Sequence, residues 1–261
     1  MNFELPYIPS RPVKPREHGV TMVMDKGLSI RQAENLIESA GDYIDLLKLG
    51  FGTAFLNKKL DSKIKIYREA GMKVYFGGTF FEAYFVRGLF DDYCRILDKF
   101  KVDAVEISDG SIKLPHEEKC RIIKKLSGEF TVLSEVGSKE EGMIIHPRKW
   151  IDLMNHELNA GSWKVIAEAR ESGTVGIFRK SGNVHSILID RIMNNVNTDK
   201  IIWEAPNKNQ QVWFIKKFGA NVNIGNVAPD DAVPLETLRL GLRGDTFFQF
   251  LPDQVTRKFK P

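Results

Sequence analysis

The sequence predicts a single-domain (β/α)8 TIM barrel of the α/β class. Eight short apolar runs alternate with amphipathic helical stretches, the pattern of a parallel sheet joined by crossover helices. Each run ends in a turn rich in Gly, Asp or Asn. The chain has 261 residues, close to the roughly 250 of one such barrel, with no composition shift to mark a second domain. An open doubly wound sheet would want G-x-G-x-x-G after its first strand, whereas here that strand ends in Asp25-Lys26-Gly27. No G-x-x-x-x-G-K-[ST] phosphate loop occurs either.

The elements follow in order. Residues 1–15, with Pro6, Pro9, Pro12 and Pro15, read as an extended arm; the barrel occupies 16–250 and a tail 251–261. The first strand, 20–24 (VTMVM), leads to a helix capped by Ser29. The second, 44–49 (IDLLKL), ends at Gly50-Phe51-Gly52, and a Lys-rich helix over 61–69 stops at Gly71. The third, 73–76, ends at Gly77-Gly78-Thr79 and feeds a long helix over 82–100 with a break expected at Gly88. The fourth, 104–108 (AVEIS), ends at Asp109-Gly110, and Pro115 opens the next helix. The fifth covers 130–136, the sixth 164–169, the seventh 200–204 and the eighth 220–224, the last ending at Gly225-Asn226. Their helices run over 147–159, over 184–193 and to about 218, and Pro234 opens the final one.

Composition narrows the function. Lys plus Arg number 38 and Asp plus Glu 34, a net charge of +4 that is too small for a nucleic-acid binder. No apolar run is long enough for a membrane span or a signal peptide. Cys94 and Cys120 form neither a zinc pattern nor a disulfide framework, as expected of a cytoplasmic chain.

Barrel chemistry sits at the C-terminal ends of the strands. There Glu106, Glu135, Glu168 and Glu204 stand on four consecutive strands. Carboxylates so crowded require a cation among them, and hard oxygen donors suit Mg²⁺. The ligand set expected is Glu106, Glu135 and Glu168; a purely structural network with neighbouring cations is the alternative. Lys26, Lys48, Lys139 and Arg170 share the rim and point to a small, multiply anionic substrate. Asp25, Lys26 and Ser108 are further candidates for binding it. Asn207, Asn223 and Asn226 follow the last two strands, where barrel phosphates often sit. The five histidines fall on the opposite rim (His18) or beside helices (His116, His146, His156, His185) and supply neither base nor ligand. The glycine-spaced loop 173–182, with Arg179 and Lys180, reads either as a lid or as a solvated connector.

These strand ends resemble the phosphosulfolactate synthases. The likeness rests on Asp25-Lys26-Gly27, Asp42-Tyr43-Ile44-Asp45 with Lys48, Gly77-Gly78-Thr79, Glu106-Ile107-Ser108-Asp109-Gly110, Ser134-Glu135-Val136-Gly137 with Lys139, Glu168-Ala169-Arg170-Glu171-Ser172-Gly173, Glu204-Ala205-Pro206 with Gln210-Gln211, and Leu235-Glu236-Thr237-Leu238-Arg239. It covers roughly residues 16–250 and departs at Phe51, where the family usually shows Trp. The resemblance implies a Mg²⁺-dependent barrel that adds sulfite to phosphoenolpyruvate, giving (2R)-phosphosulfolactate for coenzyme M or sulfolactate formation. It also implies assembly into a homo-oligomer, a trimer among the options. Within that reaction Lys139 is the first choice as general acid and Lys48 the second, otherwise a clamp on carboxylate or phosphate. Arg170 would hold phosphate or sulfite. The family also includes plant heat-stress proteins, so a non-catalytic barrel is a competing reading, and a Schiff-base aldolase using Lys48 is another.

Overall fold

A computed structural model describes residues 3–137, 146–169 and 172–261. Eight parallel strands form one sheet: β1 (Thr21–Asp25), β2 (Leu46–Leu49), β3 (Lys73–Phe76), β4 (Ala104–Ile107), β5 (Thr131–Val136), β6 (Lys164–Ala167), β7 (Ile201–Glu204) and β8 (Ile224–Val227). Their order is β3-β2-β1-β8-β7-β6-β5-β4. The ends of that order meet, because the Asp103 amide just before β4 donates to the Val74 carbonyl of β3 at 3.3 Å. The sheet therefore curls into a barrel.

The crossover helices lie outside: α1 (Ile30–Ala40), α2 (Leu60–Glu69), α3 (Gly78–Phe85), α4 (Phe90–Phe100), α5 (His116–Leu126), α6 (Pro147–Ala160), α7 (Ser186–Met193), α8 (Lys208–Phe218) and α9 (Ala232–Arg239), with α10 (Asp253–Phe259) in the tail. Ser29 caps α1 in a reciprocal box with Gln32, as its sequence position implies. The break expected at Gly88 divides the stretch into two helices: the chain turns there with φ +71°, and α3 starts earlier than expected, at Gly78. No helix among the described residues is long and apolar enough to cross a membrane.

Side chains alternate across a strand, so each strand contributes to two layers. Outward residues such as Val23, Leu47, Val74, Val105, Val165 and Trp203 pack beneath the helices. Inward ones, Met22, Leu46, Tyr75, Ala104, Leu133, Ile166 and Ile202, fill the barrel centre and are buried to within 1%. This plug makes the interior a packed core and leaves chemistry to the layer above it.

The N-terminal end is closed by cations. The buried Arg239 guanidinium donates to the Ala220 and Val222 carbonyls, each at 2.6 Å. Arg11 of the arm pairs with Glu236 at 2.8 Å, and Arg16 with Asp45 at 3.1 Å. The proline-rich arm is thus strapped across the bottom of the barrel.

Two residues expected at the substrate site belong to this scaffold instead. Asp25, at the end of β1, accepts from the Gly27 and Leu28 amides, both at 2.7 Å, and from the Tyr67 hydroxyl at 3.0 Å. Its other partner is the buried ammonium of Lys63 on α2, at 2.5 Å. Asn223 lies at the opposite end of the barrel, because β8 begins at Ile224 rather than ending there. It accepts from the Val20 amide and donates to the Asp199 and Ile201 carbonyls, each at 3.0 Å. Replacing Asp25 with Asn leaves the Lys63 ammonium buried without its counter-charge. Unfolding by denaturant is expected to show a loss of about 3–5 kcal/mol, and a loss below 1 kcal/mol would contradict this role.

Candidate active site

The layer above the apolar plug follows from the period of two. Two residues beyond Leu46, Ala104, Leu133, Ile166 and Ile202 stand Lys48, Glu106, Glu135, Glu168 and Glu204. All five are buried, and all five line one cavity of about 400 Å³ at the C-terminal mouth. Its walls are completed by Met24, Phe51, the Gly77-Gly78-Thr79 turn, Ala169, Ser172 and Asn226.

Lys48 is the hub. Its Nζ lies 2.9 Å from Glu106 Oε1, 3.6 Å from Glu135 Oε2 and 3.7 Å from Glu204 Oε1. Burial pulls its pKa down, but Glu106, Glu204 and Glu135 together outweigh burial and hold the ammonium well above the ordinary lysine range. The carboxyl groups of Glu106 and Glu204 shift upward as well. Glu204 is raised to about 7 by burial and by the like charges of Glu135 and Glu106, against the pull of Lys48 and of the Ala169 amide. Glu106 is raised by burial and by Glu135, and lowered by Lys48 and by the Gly78 amide, which donates to it at 2.6 Å. That amide reaches Glu106 because residue 78 has no side chain: a Cβ there would collide with Ser108 and stand 2.8 Å from Glu106 Oε1.

Glu135, Glu168 and Glu204 each place one oxygen within 4.8 Å of the others. These are hard oxygen donors, buried together, and Lys48 is ion-paired to two of them, Glu135 and Glu204. Such a donor set fits a small, hard dication such as Mg²⁺. This triplet contains Glu204, whereas the set expected from the sequence was Glu106, Glu135 and Glu168; Glu106 and Glu204 both pair with Lys48, and each accepts one backbone amide, from Gly78 at 2.6 Å and from Ala169 at 2.8 Å.

The other expected residues divide. Asn226 lines the cavity with φ +56°, and its Nδ2 donates to the Ala169 carbonyl at 3.0 Å. Lys26 stands at the mouth, its ammonium 5.6 Å from the centre of the Phe51 ring. Ser108 is buried behind the cavity wall and donates to Glu82 Oε1 at 2.6 Å. Asn207 caps α8 and donates to the Ser172 carbonyl at 3.3 Å, one step outside the cavity. Lys139 and Arg170 lie outside the described residues. The loop after β6 is anchored: Ile177 and Phe178 are buried, the Ile177 amide donates to the Glu168 carbonyl at 3.1 Å, and Gln210 Nε2 donates to the Gly173 carbonyl at 2.8 Å.

Comparison with known proteins identifies the family. The family model for (2R)-phospho-3-sulfolactate synthase (ComA) matches residues 9–245. A phosphosulfolactate synthase from Methanocaldococcus jannaschii is 44% identical over 239 residues, covering 88% of this chain and 94% of the relative. One from Bacillus subtilis is 42% identical over 244 residues, covering 92% of this chain and 97% of the relative. Among solved structures, a 3-hexulose-6-phosphate synthase superposes with a TM-score of 0.55 at 14% identity, over 85% of this chain and 99% of that one, a likeness of fold alone. The chain is an enzyme of the (2R)-phospho-3-sulfolactate synthase family.

Proposed function

We propose that the cavity binds phosphoenolpyruvate and sulfite with Mg²⁺ and joins them into (2R)-O-phospho-3-sulfolactate. The sulfite sulfur pair forms the new bond to the methylene carbon, the double-bond pair moves toward the carbon bearing phosphate and carboxylate, and a proton closes that carbon. The observation that carries this reading is the single inward layer of Lys48 with four glutamates above a sealed plug. Mg²⁺ held by Glu135, Glu168 and Glu204 would supply Lewis-acid stabilisation of the charge that builds on the substrate carboxylate.

The chain's own groups do the rest. Lys48 stays an ammonium, so it offers fixed positive charge and N–H donors at the cavity floor, where exclusion of water strengthens both. It also carries a proton that the strongly basic carbon of the adduct can take, alongside Lys139, the first choice for that step from its place just past β5. Lys26 and the Gly77-Gly78-Thr79 turn face the anionic substrate from the mouth. Asn226 belongs to the substrate contacts on the β8 side. Homo-oligomeric assembly is part of the same proposal.

A Schiff-base role for Lys48 finds no support in this setting, because a nucleophilic amine must lose the proton that its three carboxylate neighbours hold in place. Borohydride treatment with a carbonyl substrate is expected to leave the lysine unmodified. The direct test is formation of phosphosulfolactate, followed by phosphorus NMR, from phosphoenolpyruvate and sulfite. Turnover with Mg²⁺ that stops on adding chelator is expected; no product under any metal condition would overturn the proposal.

A further inference from the structure

A second buried lysine, outside the cavity, bears on the same carboxylates. Lys119 sits in the first turn of α5, is 1% exposed, and its three donors each have a partner. They are the Glu135 carbonyl at 2.6 Å, Asp109 Oδ1 at 2.9 Å and Glu157 Oε1 at 2.9 Å. Glu157, on α6, is itself held by His116 at 3.3 Å and by the Ser134 side chain.

The carbonyl contact has a structural cause. The Val136 carbonyl accepts from the Glu168 amide, so β5 at that residue faces β6, and the Glu135 carbonyl points the other way, toward β4. There β4 has already ended: the last pair in the register is Ile107 with Ser134. Without another donor the Glu135 carbonyl would be buried and unsatisfied at the very residue whose carboxylate faces the cavity. The Lys119 ammonium takes the missing strand's place, and through Asp109 it ties down the loop that follows β4 as well. A buried ion pair is seldom more stabilising than an apolar pair of the same volume, so stability alone does not account for it.

We infer that Lys119 is a positioning residue for the metal-holding carboxylates: it fixes the end of β5 so that Glu135 is aimed at Glu168 and Glu204. The inference rests on the metal reading of the cavity proposed above. Its test is Mg²⁺ binding without substrates, by calorimetry, on wild type, Lys119→Arg and the double variant Lys119→Met with Glu157→Met, which replaces the ion pair by an apolar one. The double variant is expected to fold, by circular dichroism, and to bind Mg²⁺ at least tenfold more weakly. Lys119→Arg, which keeps donors at that position, is expected to recover most of the loss. Wild-type affinity in the folded double variant would overturn the inference, and so would its failure to fold, which would make Lys119 part of the scaffold only. Absence of Mg²⁺ binding to the wild type would instead overturn the metal reading itself.

Discussion

Replacing Lys48 with Met is expected to lower turnover by about 10²–10⁴-fold while leaving Mg²⁺ binding intact or tighter. The two effects separate because Lys48 opposes the carboxylates that would hold the metal. With its ammonium 2.9 Å from Glu106 and within 3.7 Å of Glu135 and Glu204, removing it deepens the negative potential of the cavity. A dication gains from that change, while the reaction loses both a fixed positive charge and a proton source. Breaking a buried ion pair typically costs about 3–5 kcal/mol, so the metal-free variant should also melt earlier, and more so at pH 8 than at pH 5, where its carboxyl groups can protonate. Lys48→Arg should not restore turnover, because a planar guanidinium cannot occupy the same point between three carboxylates. Parallel measurement of kcat and of Mg²⁺ affinity checks the prediction. Loss of metal binding together with turnover would mean that Lys48 merely holds the cavity together.

The stability of the metal-free protein should fall as pH rises from about 4.5 to about 7. Glu204 is raised to about 7 from its ordinary 4.5, first by burial and then by Glu135 and Glu106. Across that window the folded state holds a proton that the unfolded chain has released. Its contribution is therefore complete below the unfolded value and lost as pH passes the folded one. At 1.36 kcal/mol per unit the effect is on the order of 3 kcal/mol, with Glu106 adding in the same direction. Mg²⁺ reverses the trend, since it competes with protons for the same oxygens and binds better as pH rises. At a hundredfold excess over its dissociation constant a ligand stabilises by about 2.7 kcal/mol. Thermal melts in chelator and in Mg²⁺ across pH 4.5–8 should therefore diverge, and Glu204→Gln should flatten the chelator curve. A chelator curve that rises over this range would contradict the assignment.

Much of this was legible before any coordinates. Apolar runs ending in polar turns place β1 to β7, and the period of two raises Lys48, Glu106, Glu135, Glu168 and Glu204 to one level. What stayed hidden depends on register and on partners distant in sequence. The segment from Ala220 carries apolar Val222 and Ile224 on either side of Asn223, so it reads as a strand, yet β8 starts only at Ile224. That shift moves Asn223 from the top of the barrel to the bottom. Asp25 sits where a barrel ligand would, but the packing of α2 brings Lys63 to it, a pairing that no local pattern announces. The partners of Glu106 and Glu204 likewise come from neighbouring loops, the Gly78 amide for one and the Ala169 amide for the other.

Phosphosulfolactate formation by Glu168→Gln, measured against wild type as Mg²⁺ is raised from micromolar to millimolar, probes the carboxylate cluster most directly. The substitution keeps the shape and removes one negative charge from the triplet, so the Mg²⁺ concentration for half-maximal turnover should rise at least tenfold, with activity partly recovered at saturation. An unchanged Mg²⁺ dependence in a folded Glu168→Gln variant, or wild-type turnover that persists in chelator, would contradict the account.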